Sequence, residues 1–281
     1  MHTTLLSAGE LAAHVADPAW VVVDVRHDLA QPERCGEEQY RAGHLPGAVF
    51  AHLDRDLSGP KTGRNGRHPL PGPEACARVF GRLGIGEGRQ VVAYDQNNGM
   101  YAARLWWMLR WLGHEAVAVL DGGLDAWLRA GLPTQREIPP PRSSEFVVPG
   151  VGPTVAAAAI VAALPTRALT IIDARAPERF RGETEPLDPV AGHIPGAVNR
   201  PFADNVDAEG RFKPAEVLRA EFAALIGTRP LAGVVHQCGS GVTACHNLLA
   251  MEVAGLSGTR LYPGSWSEWC ADPSRPVARG A

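Results

Sequence analysis

The sequence predicts an α/β protein of two tandem domains, each a mostly parallel sheet flanked by helices. Three observations carry that prediction: apolar runs that alternate with helical patterns, a set of motifs that occurs twice, and a proline-rich stretch between the two copies. A chain of 281 residues also has room for two domains at the usual ~100–200 residues each. The expected boundaries are 1–138 for an N-terminal domain, 139–152 for a linker and 153–281 for a C-terminal domain.

In the first half, Ser7-Ala8-Gly9-Glu10 has capping-box form and starts a helix that runs into Leu11-Ala12-Ala13-His14-Val15. Trp20 to Arg26 is a continuous apolar run with a charged end, as expected of a strand buried on both faces. Gly43-His44-Leu45-Pro46-Gly47-Ala48-Val49 makes a turn and a short apolar segment, and Pro73 to Gly84 reads as a helix with a glycine stop. Gln90 to Asp95 is a strand feeding the loop Gln96-Asn97-Asn98-Gly99, and Ala102 to Leu109 is the helix that follows. Val117 to Asp121 is a further strand, after which Gly122 to Trp127 opens the closing helix. Trp106, Trp107 and Trp111 stand at helical spacing and are expected in the core.

Pro139-Pro140-Pro141-Arg142-Ser143-Ser144 cannot continue a helix and separates the halves. Beyond it the plan repeats. Asp173-Ala174-Arg175 follows Asp24-Val25-Arg26 at an offset of 149 residues, and Gly192-His193-Ile194-Pro195-Gly196-Ala197 follows the Gly43 turn at the same offset. Cys238 follows Asp95 at 143, and the Gly264 to Trp269 segment follows Gly122 to Trp127 at 142. Such regular offsets indicate a duplication. Features in both halves, namely the two Asp-x-Arg pairs and the two His-x-Pro-Gly-Ala turns, are therefore expected to be scaffold. Features in one half are candidates for function: Cys238, where the first half has Asp95, and Arg179, where it has Ala30.

The stretch around Cys238 carries the clearest chemistry. Val234-Val235-His236-Gln237 reads as a strand, the stretch from Cys238 through Gly239 and Gly241 as a tight loop, and Cys245 to Met251 as a helix. Two glycines let several backbone N–H groups turn inward as an anion-binding nest, with the positive end of a helix behind it. A thiol there is expected to be mostly thiolate near neutral pH and to act as a nucleophile. The competing reading, a buried packing cysteine, leaves the flanking Gly-x-Gly without a purpose.

Composition narrows the function class. Hydrophobic residues make up 45%, charged residues 20%, and the formal net charge is −3, so no global nucleic-acid or membrane partner is indicated. The start of the chain lacks the pattern of a signal peptide, and no run approaches the ~18 apolar residues of a membrane span. Five scattered cysteines, Cys35, Cys76, Cys238, Cys245 and Cys270, suit reduced thiols, so a cytoplasmic setting is expected. His236-x-Cys238 with Cys245-His246 fits no common zinc spacing, and neither metal nor cofactor is expected.

Taken together, the Asp-x-Arg, His-x-Pro-Gly-Ala and Gly-x-x-x-x-Trp motifs of both halves, with cysteine in only the second loop, resemble the rhodanese-type sulfurtransferases. The resemblance covers nearly the whole chain. The loop Cys238-Gly239-Ser240-Gly241-Val242-Thr243 is similar to that of 3-mercaptopyruvate sulfurtransferases, whereas thiosulfate sulfurtransferases typically carry Arg and Lys after the cysteine. What the resemblance implies is transfer of a sulfane sulfur from 3-mercaptopyruvate, or from thiosulfate as the main alternative, through a persulfide on Cys238. The acceptor would be cyanide or a thiol, including that of a reduced thioredoxin-like protein. It further implies that Gly239, Gly241, Val242 and Thr243 cradle the donor, that Arg179 binds the anionic end of that donor, and that Ser240, His68 and Asp54 handle protons. Because His68 and Asp54 belong to the first half, the site is expected at the domain interface. Arg181 is the nearest competitor of Arg179. Mercaptopyruvate enzymes generally have a second arginine in a Glu-Pro-containing loop, and here that loop, Glu183 to Val190, has none.

Two rival classes remain. Phosphatases of this fold need Cys-x5-Arg to clamp phosphate, and Ala244 stands where that arginine would be. A sulfur-carrier or protein-binding module without turnover would require an unreactive Cys238, against the character of its loop. Trp266 and Trp269, near the last loop, are expected to pack in the core.

Overall fold

Short valine- and isoleucine-rich runs bounded by turn residues become central strands, because branched side chains pack well on a sheet covered on both faces. The computed structural model describes residues 1–29, 31, 35–96 and 98–280; Ala30, aligned above with Arg179, Asn97 of the Asp95 loop and the Cys35 side chain lie outside the described residues. The chain forms two units. The first comprises Met1–Gly59, Pro71–Gly152 and Ala208–Phe212, and the second Pro60–Leu70, Pro153–Asp207 and Lys213–Ala281.

The first unit runs β1 (Leu5–Leu6), α1 (Ala8–Ala12), β2 (Trp20–Asp24), α2 (Cys35–Ala42), β3 (Val49–Phe50), α3 (Pro73–Arg82), β4 (Gln90–Tyr94), α4 (Ala102–Trp111), β5 (Val117–Leu120) and α5 (Gly123–Arg129). Among the described residues its sheet has the order β1-β5-β4-β2-β3, with every pair parallel. Val22 lies opposite Val92, and Val92 opposite Ala118, which seats these small and branched side chains side by side. The Ser7 hydroxyl and the Glu10 carboxylate satisfy each other's backbone N–H groups at the start of α1. The core joins Leu6, Leu11, Val22, Leu45, Val92, Tyr94 and Trp127. Trp106, Trp107 and Trp111 of α4 are buried, as their spacing predicts. β1, only two residues long, and α2, whose residues are mostly polar, have no clear signature in the sequence.

The second unit runs α6 (Ala157–Ala163), β6 (Thr170–Asp173), α7 (Pro177–Phe180), β7 (Val198–Asn199), α8 (Ala215–Ile226), β8 (Val234–Gln237), α9 (Thr243–Val253), β9 (Arg260–Leu261) and α10 (Ser265–Trp269). Its strands are parallel in the order β7-β6-β8-β9. A parallel bridge from Thr154 to Leu261 stands where the first unit pairs Leu5 with Val119, so both sheets follow one plan. Trp266 and Trp269 are fully buried in this unit's core, with Ile160, Ile171 and Val235. Among the described residues no helix is long and apolar enough to cross a membrane.

The repeated motifs have the same structural work in each unit. Arg26 grips the Asp24 carboxylate at 2.7 Å and donates to the Gly43 carbonyl at 2.7 Å; Arg175 does the same to Asp173 at 2.7 Å and to Gly192 at 2.8 Å. A buried guanidinium fork thus ties each central strand end to the turn that precedes the neighbouring strand. Inside those turns, His44 and His193 bond the carbonyls of Tyr40 and Phe180 through Nδ1, at 2.7 Å each. Their rings stack on Tyr40 and Phe180 at 4.0 and 3.9 Å.

His236 of β8 is fully buried, with Nε2 3.1 Å from Met251 Sδ and no partner for Nδ1 among the described residues. Burial pushes its imidazolium down from an ordinary 6.5 to about 3. The unfolded chain therefore takes up this proton as the pH falls through 6.5, while the folded chain does not until about 3. Its contribution to stability is complete above 6.5 and is lost on acidification across that window, at up to ~1.4 kcal/mol per pH unit. In urea unfolding measured at several pH values, His236→Leu is expected to show a shallower fall of stability between pH 6.5 and 4 than the wild type. Equal slopes would rule this histidine out as a source of acid sensitivity.

Candidate active site

β8 lies in the interior of its sheet, and at its end the backbone turns out of the plane through Cys238 before α9 begins at Thr243. Gly241 makes that turn possible. It has φ +78°, and a Cβ there would lie 2.2 Å from the Pro263 carbonyl oxygen, so no other residue fits. The turn brings the Gly241 N–H back onto Cys238 Sγ at 3.2 Å. From the other side, Cys238 N–H donates to Ser265 Oγ at 3.1 Å, and the Cys238 and Gly239 carbonyls accept from Trp266 and Ser267 at 3.0 and 2.9 Å. Val242 is buried as the N-cap of α9 and Thr243, half-buried, opens that helix. The sulfur is therefore held at the positive end of α9, with a backbone donor aimed at it.

The first unit fills the equivalent loop with its own anion. Asp95 accepts N–H groups from Gly99 at 3.0 Å, Tyr101 at 2.8 Å and Ala102 at 3.1 Å. A carboxylate built into the chain occupies the nest there, whereas the second unit presents a sulfur. Among the described residues three other thiols are buried. Burial pushes Cys76 and Cys270 up to about 11, and Cys245 Sγ donates to the Gly241 carbonyl at 3.3 Å, bracing the loop.

A line of alternating charges runs from the scaffold to this loop. Asp173 holds Arg175; Arg175 reaches Glu185 at 3.3 Å; Glu185 holds Arg179 at 2.6 Å; Asp188 lies 3.4 Å from Arg179 and forms a close ion pair with Arg67. The side chains of Glu185 and Asp188 are both only 3% exposed, so these charges are desolvated and depend on their partners. Burial by itself would lower Arg175, but Asp173, Glu185 and the charge of Cys238 outweigh it and raise it. Arg179 thus stands at the loop: a Cβ on Gly239 would meet its Nη1 and Nη2 at 3.5 Å. Arg181, the competing candidate, turns to the surface and pairs with Glu183 at 2.7 Å.

His68 Nδ1 lies 2.7 Å from Ser240 Oγ, and both side chains are buried. His68, expected from its position in the chain to belong to the first domain, lies in Pro60–Leu70, a segment of the second unit. Local contacts explain this. Gly66, at φ +87°, packs so closely on Gly264 that a Cβ would come within 2.9 Å of its carbonyl oxygen, and Arg67 N–H donates to Ser267 Oγ at 3.0 Å. Cys238, Ser240, His68 and Arg179 are consequently brought together within one unit. Asp54 lies in the first unit, half-buried, in a group with His27 and His52 whose ligand-type atoms are within 4.8 Å of one another. His52 Nδ1 accepts the Asp54 N–H at 3.1 Å, which leaves the proton of the neutral ring on Nε2.

Three further residues stand at the loop that the sequence does not single out: Arg67, Asp188 and Ser265. Arg67 directly precedes His68, and Asp188 lies in the loop noted for lacking an arginine, but the contacts that join them span 121 residues and leave no local mark. Ser265 leaves none either. Its φ is +54°, where the first unit uses Gly123 at +55°. A serine that accepts this strain does so with its Oγ on the Cys238 N–H.

The sequence matches the family described as Rhodanese-like domain over residues 7–130 and 157–272. It is 49% identical over 279 residues, covering 98% of both chains, to a Pseudomonas aeruginosa protein named a probable 3-mercaptopyruvate sulfurtransferase. A Mycobacterium tuberculosis protein, SseB, provisionally named a thiosulfate sulfurtransferase, is 40% identical over 284 residues, covering 98% of this chain and 97% of its own. The crystal structure of SseA from Escherichia coli, described as a 3-mercaptopyruvate sulfotransferase, superposes with a TM-score of 0.82 at 35% identity, covering 94% of this chain and 99% of that one.

Removing the Ser265 hydroxyl leaves the buried Cys238 N–H without its acceptor while the strained φ remains. Ser265→Ala is expected to lose about 1–3 kcal/mol in urea unfolding. Ser265→Gly is expected to lose about 1 kcal/mol less than the alanine variant, since glycine adopts positive φ without cost. An alanine variant as stable as wild type would contradict this anchoring.

Proposed function

The chain belongs to the rhodanese-like family and is a tandem-domain sulfurtransferase; from that premise we propose that it takes sulfur from 3-mercaptopyruvate and passes it through a Cys238 persulfide to a thiol or cyanide. The observation that carries this reading is the juxtaposition of Cys238 Sγ, bonded by the Gly241 N–H at 3.2 Å, with a guanidinium group beside Gly239. One holds the nucleophile and the other suits a planar carboxylate. Two of the relatives reported above, from Pseudomonas aeruginosa and Escherichia coli, are named for 3-mercaptopyruvate, whereas the name of SseB points to thiosulfate as the rival donor.

In the first step, the Cys238 thiolate attacks the donor sulfur. An S–S bond forms, the C–S bond breaks, and its electron pair leaves on the enolate of pyruvate. A proton delivered to the methylene carbon completes pyruvate, and its relay is the role proposed for the Ser240–His68 pair, whose 2.7 Å separation supports proton sharing between them. The outer sulfur of the resulting persulfide then receives attack from the acceptor. A new S–S or S–C bond forms to that sulfur, the Cys238 S–S bond breaks, and the thiolate returns to the nest. Anionic sulfur in each resting form faces the Gly241 N–H and the N-terminus of α9. A reduced thioredoxin-like protein is the macromolecular form of a thiol acceptor.

Steady-state turnover of the full chain with one acceptor is expected to favour 3-mercaptopyruvate over thiosulfate by at least tenfold in kcat/KM. Cys238→Ser is expected to abolish transfer, whereas Cys76→Ser and Cys270→Ser variants that fold retain it. Preference for thiosulfate would overturn the donor assignment, and turnover by Cys238→Ser would overturn the mechanism.

A further inference from the structure

The loop Glu183 to Val190 contains no arginine, so the anionic end of the donor would face a single guanidinium if the site drew only on that loop and Arg179. The structure brings another to the same point. A Cβ built on Gly239 would meet Arg67 Nη2 at 2.8 Å and Arg179 Nη1 and Nη2 at 3.5 Å. The two guanidinium groups therefore converge above the residue that follows Cys238, although Arg67 lies in a segment remote in sequence. Asp188 joins them: Oδ1 pairs with Arg67 Nη1, and Oδ2 lies 3.4 Å from Arg179 Nη2. The Arg67 backbone is fixed separately, by its N–H on Ser267 Oγ at 3.0 Å.

We propose that Arg67 is a donor-binding residue that determines specificity, supplying with Arg179 the paired guanidinium groups that receive the carboxylate of the donor. Asp188 is the positioning residue: by holding one nitrogen of Arg67, it turns the other nitrogen, Nη2, toward Gly239. The inference deepens the donor reading above and rests on it. A carboxylate between two forks gains charge-assisted hydrogen bonds from both, while the reacting sulfur lies beyond them at Cys238. Because these contacts involve the carboxylate alone and are made before and during reaction, losing one is expected to raise KM more than it lowers kcat.

The test uses the full chain with two donors: 3-mercaptopyruvate, and mercaptoacetone, in which a methyl group replaces the carboxylate. For Arg67→Met, the KM for 3-mercaptopyruvate is expected to rise about tenfold or more, with kcat changed less than about threefold. The kcat/KM for mercaptoacetone is expected to stay within about twofold of wild type. Arg67→Lys, which keeps the charge and loses the fork, is expected to fall between wild type and the methionine variant for the first donor only. Equal losses with both donors, or no loss with either, would overturn the proposal, the former by showing that Arg67 acts only as a structural anchor for Asp188. Should Arg67→Met fail to fold, Arg67→Lys decides by the same two-donor comparison. Wild-type protein that does not turn over 3-mercaptopyruvate would overturn the donor reading and this proposal with it, an outcome distinct from a defect confined to, or missing from, the variants.

Discussion

Backbone N–H groups released at the end of a central parallel strand need an acceptor, and the identity of that acceptor separates the two halves of this molecule. In the first unit the Asp95 carboxylate accepts from Gly99, Tyr101 and Ala102, closing the loop on a charge that belongs to the chain. In the second, Gly241 bonds Cys238 Sγ, and Cys238 in turn bonds Ser265. One substitution of a sulfur for a carboxylate thus distinguishes the second loop from the first, leaving a thiol where the other unit has its own carboxylate. The strained Ser265, the close approach of Gly241 to Pro263 and the α9 N-terminus all serve to hold that geometry.

Electrostatics extends the loop into a site. The bidentate pair of Asp173 and Arg175 has a counterpart in Asp24 and Arg26, and from Arg175 the charges continue outward through Glu185, Arg179 and Asp188 to Arg67. Buried carboxylates between guanidinium groups fix the arginines at a cost in desolvation that their mutual pairing offsets. Long, flexible side chains gain a defined direction in this way, and arginine forks with defined direction are what a small planar anion requires. A scaffold pair present in both units is thus, in the second, the base of a line of alternating charges that ends beside the Cys238 loop.

Much of this was legible in the sequence, for reasons that particular residues make clear. The duplication sorted Asp24, Arg26, Asp173, Arg175, His44 and His193 into scaffold, because both copies had to solve the same packing problem, and their buried bonds match in the two units. Cys238 was legible because glycine at 241 answers a local backbone demand, visible within four residues of the sulfur. Arg67 was not, since its partner Asp188 is 121 residues away and Ser267 is 200. Nothing local marks Pro60–Leu70 as part of the second unit. β1 was missed because two residues carry no periodicity, and Ser265 because a positive φ on serine leaves no trace in composition.

Sulfur held covalently on one cysteine is the central chemical claim, and it has a direct readout. The full chain is mixed with one equivalent of 3-mercaptopyruvate and no acceptor, then digested and weighed by mass spectrometry. The peptide containing Cys238 is expected to gain the mass of one sulfur atom, while those containing Cys76, Cys245 and Cys270 are unchanged. Release of pyruvate with an unmodified Cys238 peptide, or added sulfur on another cysteine, would contradict a Cys238 persulfide.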